Sequence, residues 1–389
     1  MKLCVSQSDD IDVDDAIRSV VSDLLSCLAD EAPRGILVYA SPNYDHNTII
    51  SALTAQWPGC PLAGCTADGE FSSVAGFAED SVAVGLLVGE DGELSCGAAM
   101  VAGLAESPEA TIGAAIKVAM GGLGGEPSLC FVFPDPFAVD LERVCELASS
   151  ATPEGCLVVG GAAADHRIRL GEPSLPLQFG SSGAGGNAVS VMLVSGNIML
   201  SSGAACGWEP VGPTSVATKA SDNIVFEIDG KPATDILRMW YPNSSNTVAA
   251  PGDRPIAVFA EDGSTSMRPL FAVDEEGGAL VFGGSIPEGS SVRTCEVLKG
   301  GILSAASKSA GDALASYPGV APQGAILVNC AARKWTLGTE AAKESMEVGG
   351  ALGGVPYLGF YSFGEVVPNG DGASHFQSHT CTTLVFGSV

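Results

Sequence analysis

Apolar residues recur at Ile17, Val20, Val21, Leu24, Leu25 and Leu28, spaced as one face of a helix, with capping aspartates upstream at Asp12 or Asp14. The same spacing returns at Ile112, Ala115, Ile116, Ala119, Met120 and Leu123, and again at Ile302, Ala305, Ala306, Ala310 and Ala313. Each predicted helix is followed by a short apolar run, Ile36–Tyr39, Leu129–Phe133 and Ile326–Val328, of the kind that fills a strand covered on both faces. A second helical stretch succeeds each run, near 48–57, 139–148 and 340–348. Next comes a strand that breaks at glycine: Leu62-Ala63-Gly64, Val158-Val159-Gly160 and Tyr357-Leu358-Gly359. A β-rich run closes each copy, at 81–88, 188–194 and 382–386, and Ser95–Ala99 and Ser201–Ala205 continue the first two alike.

Self-similarity of this kind predicts an α/β protein built on an internally repeated helix–strand–helix–strand unit, its mixed sheets flanked by helices. Residues 223–297 interrupt the series with strands and turns, including an Asp229-Gly230 turn, and suggest two domains, 1–222 and 223–389. Gly180–Gly186 reads as a hairpin or loop and not as a phosphate loop, because it opens no helix.

The chain is 46% hydrophobic and 16% charged, so it can bury a large core and is globular. Its 45 acidic against 18 basic residues give a formal net charge of -27, which repels phosphate backbones and anionic headgroups and argues against nucleic acid as a partner. No apolar stretch is long enough for membrane insertion, and the N-terminus lacks the pattern of a secretory signal, so a cytoplasmic protein is expected. The 12 cysteines are scattered without a C-x-x-C pair and are expected as buried thiols in a reducing compartment.

The sharpest match between copies is the frame G-x4-G-E, read as Gly64-Cys65-Thr66-Ala67-Asp68-Gly69-Glu70 and as Gly359-Phe360-Tyr361-Ser362-Phe363-Gly364-Glu365. The middle copy keeps Gly160-Gly161 and offers Asp165 in place of the glutamate. Glycines there permit a tight turn and close approach, and open α/β sheets bind ligands beyond the carboxyl ends of their strands. Cys65 at such a turn, with histidines at 46, 166, 375 and 379, also raises a cysteine-dependent hydrolase or acyltransferase as the alternative. No cysteine-enzyme signature surrounds Cys65, and Ser362 lacks the first glycine of G-x-S-x-G. His375 and His379 have a metal-ligand spacing only on a helix, whereas the Gly370-Asp371-Gly372 run before them and the threonines after them favour a loop entering a strand; no metal or cofactor is expected.

Four stretches, in order, resemble the FIST family of intracellular signal-transduction domains. They are the turn at 64–70, similar to a G-C-S-T-A-G-E pattern but losing one of its residues and having Asp68 before the glycine; Gly160–Asp165; Gly207–Pro213 continuing to Glu227–Ala233; and Asn329–Arg333 with Gly359–Glu365 after it. The resemblance implies a FIST N-terminal domain followed by a FIST C-terminal domain. It also implies a non-enzymatic sensor of small ligands such as amino acids or related metabolites. No output segment comes after the last strand, so a stand-alone module acting through a separate signalling protein is expected. The expected ligand-binding residues are Cys65, Thr66, Gly69, Glu70, Gly161, Asp165, Arg333, Tyr361, Ser362, Gly364 and Glu365, with a glutamate receiving a ligand ammonium and Arg333 clamping a carboxylate.

Overall fold

The computed structural model describes residues 1–90, 92–241, 254–260, 263–368 and 373–388; the Gly370-Asp371-Gly372 run lies outside them. Each predicted copy forms a sheet of the same plan. In the first unit Lys2–Ser8, Val82–Val88, Pro33–Ala40 and Leu62–Thr66 lie side by side, with only the last two strands parallel. The second unit repeats the order with Leu94–Ala102, Ala188–Gly196, Pro127–Pro134 and Leu157–Gly161. The third uses Ile198–Ala205, Cys381–Ser388, Gly324–Cys330 and Tyr357–Ser362.

The opening strands of units two and three are therefore the segments that read as tails of the copies before them. Position along the chain sets only the succession of strands. The sheet that accepts a strand is decided by which edge its apolar face can cover.

Alternation along the central strands explains their continuous hydrophobicity. Leu37 and Tyr39 enter a core shared by all three units, while Ile36, Val38 and Ala40 face the first unit's helices. Leu129, Phe131 and Phe133 join the same shared core, with Cys130 and Val132 turned to the second unit's helices. Ile326 and Val328 complete it, opposite Ala325 and Leu327. At its centre Tyr39, Phe133 and Phe360 contribute one ring from each unit: Tyr39 stacks on Phe360 at 4.2 Å and meets Phe133 edge-on at 5.7 Å.

The helices pack outside the sheets. Val13–Leu28 starts where the Asp12 carboxylate accepts from the Asp14 and Asp15 main-chain N–H groups and buries Ile17, Val20, Leu24 and Leu28. Pro108–Met120 and Lys299–Ala315 occupy the matching places in the other units. His46–Gln56, Leu141–Ala151 and Ala341–Leu352 are the predicted second helices.

Each sheet is completed by a hairpin from another unit. Glu70–Ser72 with Gly76–Ala78, from unit one, extends the third sheet beside Tyr357–Ser362. Glu365–Pro368 with Ser374–Gln377, from unit three, extends the second sheet beside Leu157–Gly161. Gln178–Gly180 with Gly183–Gly185, from unit two, extends the first sheet beside Leu62–Thr66 and is the glycine-rich hairpin anticipated at 180–186. The exchange closes in a ring and covers edges that would otherwise be open to pairing with other chains.

The β-rich insert leaves the third unit after Ile198–Ala205 and forms a separate sheet running from Glu209–Ser221 to Ser291–Glu296 around its own core, including Val225, Ile228, Leu280 and Phe282. Asp229 and Gly230 both take positive φ, 52° and 70°, as a two-residue hairpin turn requires.

One expectation fails: Cys4 in the first strand and Cys27 in the last turn of the first helix form a disulfide, with Cα atoms 5.9 Å apart. Their separation of 23 residues carries no motif, and only the packing of helix on strand reveals the pair. The other ten cysteines are thiols.

Candidate functional site

The G-x4-G-E frame marks where the chain leaves its own sheet. Gly64 and Gly160 press against the preceding strand so closely that a Cβ would sit 1.8 Å from the Val38 carbonyl oxygen and 2.0 Å from that of Val132. Gly69 and Gly364 adopt φ of 102° and 146°, a region open to glycine, and the next residue, a glutamate, opens the donated hairpin.

The three turns meet. Asp68 N–H donates to the Tyr361 carbonyl and Tyr361 N–H to that of Gly69. Ala162 N–H donates to the Gly364 carbonyl and Phe363 N–H returns to Ala162, while Ala164 N–H donates to Thr66. A ring of main-chain hydrogen bonds thus ties all three strand ends into one packed junction.

The carboxyl groups of these turns diverge from the junction into separate surroundings. Glu70 is fully buried, accepts from Ser81 Oγ at 2.7 Å, and has its pKa pushed well up by burial. Asp165 accepts from the main-chain N–H, Nε and Nη2 of Arg167 and from the Leu175 N–H at 2.8 Å; burial works to raise its pKa, but these donors hold it below the ordinary value. Glu365 accepts from Ser362 Oγ at 2.8 Å and Thr380 Oγ1 at 2.7 Å, and burial pushes its pKa up to about 8. Gly161 lies directly across from it in the sheet.

Arg333 is completely buried. Its Nε donates to Glu344 at 2.6 Å and its other nitrogens donate to the carbonyls of Cys206, His379 and Ile302. Burial opposes its charge, but the Glu344 carboxylate outweighs that and raises its pKa. Tyr361 Oη donates to the other Glu344 oxygen at 2.6 Å. Thr66 Oγ1 accepts the Leu177 N–H at 2.9 Å. Cys65 lies in the shared core, its thiol pKa driven well up by burial.

One cleft, between the second unit, the insert and the third unit, has a single member of the expected set, Ser362, in its lining. This cleft, of about 610 Å³, opens between the 136–141 loop of the second unit, the β-rich insert and the third unit. Its walls include Phe137, Phe271, Phe282, Trp335, Phe363 and Phe376. Neutral groups reach it from the third unit: Ser362, the Cys330 thiol and Ser378, whose hydroxyl lies 3.0 Å from His379 Nδ1. Asp140, Asp222 and Asn223 add polar edges. Asp140 already accepts from Ser285 Oγ at 2.6 Å and the Glu142 N–H at 2.9 Å, which ties the insert to the second unit.

A buried ionic group backs the Trp335 wall. Lys334 pairs with Asp68 and, at 2.6 Å, with Glu79. Desolvation works against the Lys334 charge, yet the two carboxylates raise its pKa. Trp335 Nε1 donates to Asp68 at 2.7 Å, and the Arg169 guanidinium lies 4.9 Å from the indole centre. These contacts fix the indole from two other units. The Asn329–Arg333 motif ends immediately before this Lys334-Trp335 pair, and that adjacent Lys-Trp was the available signal in the sequence.

The fold and its cleft define a three-unit α/β protein with a β-rich insert and a preformed apolar site between units. The chain belongs to the FIST family: the FIST N domain matches residues 35–231 and the FIST C domain residues 233–368. FIST domains are signal-transduction sensor domains. No curated protein matches significantly. Among solved structures, cyanuric acid hydrolase from A. caulinodans is 10% identical, with 100% of this chain and 99% of that one covered at a TM-score of 0.35, too distant to bear on function.

Proposed function

We propose that this chain senses a small molecule in the cleft between the 136–141 loop, the insert and the third unit, and passes the event to a separate signalling protein. The observation that carries this reading is the cleft itself: its volume suits a small ligand, and its lining is mostly apolar with a few placed polar groups. Elements from both matched domains form the walls, so an occupant would draw them together and bias their relative arrangement.

Amino acids were the natural candidates, but Glu70, Glu365 and Arg333 are engaged internally, which favours a ligand recognised without an ammonium–carboxylate pair. Binding without turnover is the preferred reading, because the buried, protonated Cys65 is poorly suited to nucleophilic attack. A thermal-shift screen of small metabolites tests the proposal. A stabilising compound whose effect disappears in Phe271→Ala supports the cleft; one whose effect survives that change places the ligand elsewhere.

A further inference from the structure

Resting on that reading of the cleft, we infer that its ligand is a planar aromatic molecule of one or two rings, without negative charge, bearing a hydrogen-bonding edge. Six aromatic side chains, Phe137, Phe271, Phe282, Trp335, Phe363 and Phe376, converge on the cavity. Trp335 meets Phe363 at 67° with centroids 6.0 Å apart, and Phe137 meets Phe363 at 59° and 6.3 Å. Inclined walls of this kind present both faces and edges, the surfaces against which another ring packs in offset or edge-on geometry.

Charge decides the sign. Among the described residues the lining contains no lysine, arginine or histidine, while Asp140 and Asp222 stand in it. The nearby cations are already engaged outside the lining: Lys334 with Asp68 and Glu79, Arg268 with Glu142 and over the Phe376 ring, and Arg169 over the Trp335 ring. A carboxylate or phosphate would lose its water here without gaining a counter-ion, against the field of a chain of net charge -27.

Recognition inside the cleft falls to neutral donors and acceptors. Ser362 is held by Glu365 at 2.8 Å, and Ser378 stands between Cys330 and His379. Positioned hydroxyls and a protonated thiol read an amide, amine or ring nitrogen edge and leave the rest of the molecule to the aromatic walls.

Indole, tryptamine and indole-3-acetate form a matched test, measured by isothermal titration at low salt. Indole and tryptamine are expected to bind saturably, with indole-3-acetate at least ten-fold weaker than tryptamine. Phe137 and Phe271 are 57% and 43% exposed, so the double variant Phe137→Ala/Phe271→Ala should fold normally and lose at least ten-fold in indole affinity. Binding of indole that survives the double variant removes the ligand from the cleft and overturns the site. Binding that the variant abolishes, but that is as tight for indole-3-acetate or for leucine, keeps the cleft and overturns the ligand class. No binding by any of the three indole probes overturns the inference.

Discussion

Burial lifts Glu365 from an ordinary 4.5 to about 8, so across that interval the folded chain keeps a proton that the unfolded chain has released. A raised carboxyl pKa contributes stability that is complete below the unfolded value and drains away as pH rises toward 8. Glu70 has a shift of the same sign. The melting temperature should therefore fall between pH 5 and pH 8, and Glu365→Gln, neutral at every pH and able to accept from Thr380 through its amide oxygen while its NH2 donates to the Ser362 hydroxyl, should flatten part of that slope. An unchanged slope in the variant would show that Glu365 ionises normally. Arg333 gives a sharper effect. Replacing it with Ala strands the Glu344 carboxylate and the carbonyls it satisfies, and urea unfolding should record a loss of about 3–5 kcal/mol. Sequence marked Arg333, Glu365 and Tyr361 as unusual polar residues in motif positions, but their partners Glu344 and Thr380 lie 11, 15 and 17 residues away along the chain. Residue type alone does not separate a buried carboxylate that holds a fold from one that holds a ligand.

Glycines distinguish the elements experimentally. A Cβ at Gly64 or Gly160 collides with a main-chain oxygen, which a strand in mid-sheet cannot move aside, so Gly64→Ala and Gly160→Ala should each cost about 3 kcal/mol or more. Gly113, inside Pro108–Met120, has nothing within 4 Å of the same added atom, and Gly113→Ala should gain about 0.5–1 kcal/mol from helix propensity. Thermal denaturation of the three variants separates the two outcomes by sign. At this scale most of the architecture was legible, because apolar period distinguishes a one-sided helix from a strand buried on both faces. Lys2–Ser8 escaped, being short and mixed in polarity. Ala331–Leu337 escaped too: at 7 residues it is under two turns, too short to display a period.

For the whole molecule, the cleft is the feature furthest from the sequence. Phe137, Phe271, Phe282, Trp335, Phe363 and Phe376 are scattered over three separate regions, and each alone reads as an ordinary core or loop aromatic. Convergence depends on the third unit being interrupted by the insert and on Ser285 and Arg268 docking that insert onto Asp140 and Glu142. Hydrogen exchange with saturating indole should therefore slow amides in 136–141, 268–284 and 362–368 while leaving Val13–Leu28 and His46–Gln56 unchanged. Equal protection everywhere would mean global stabilisation without a local site. The cysteine pair obeys the same logic, since Cys4 and Cys27 become neighbours only through the packing of the first helix on the first strand.

The hairpins passed between sheets have a consequence for how the chain can be divided. Each unit completes one neighbour and is completed by the other, so the peptide links between units are not what keeps them together. Two polypeptides parted between the first and second units should find each other during refolding and reassemble by fragment complementation. The first piece would lack the hairpin that completes its sheet and the second would lack the one that completes the third sheet, so each would expose an edge that invites aggregation.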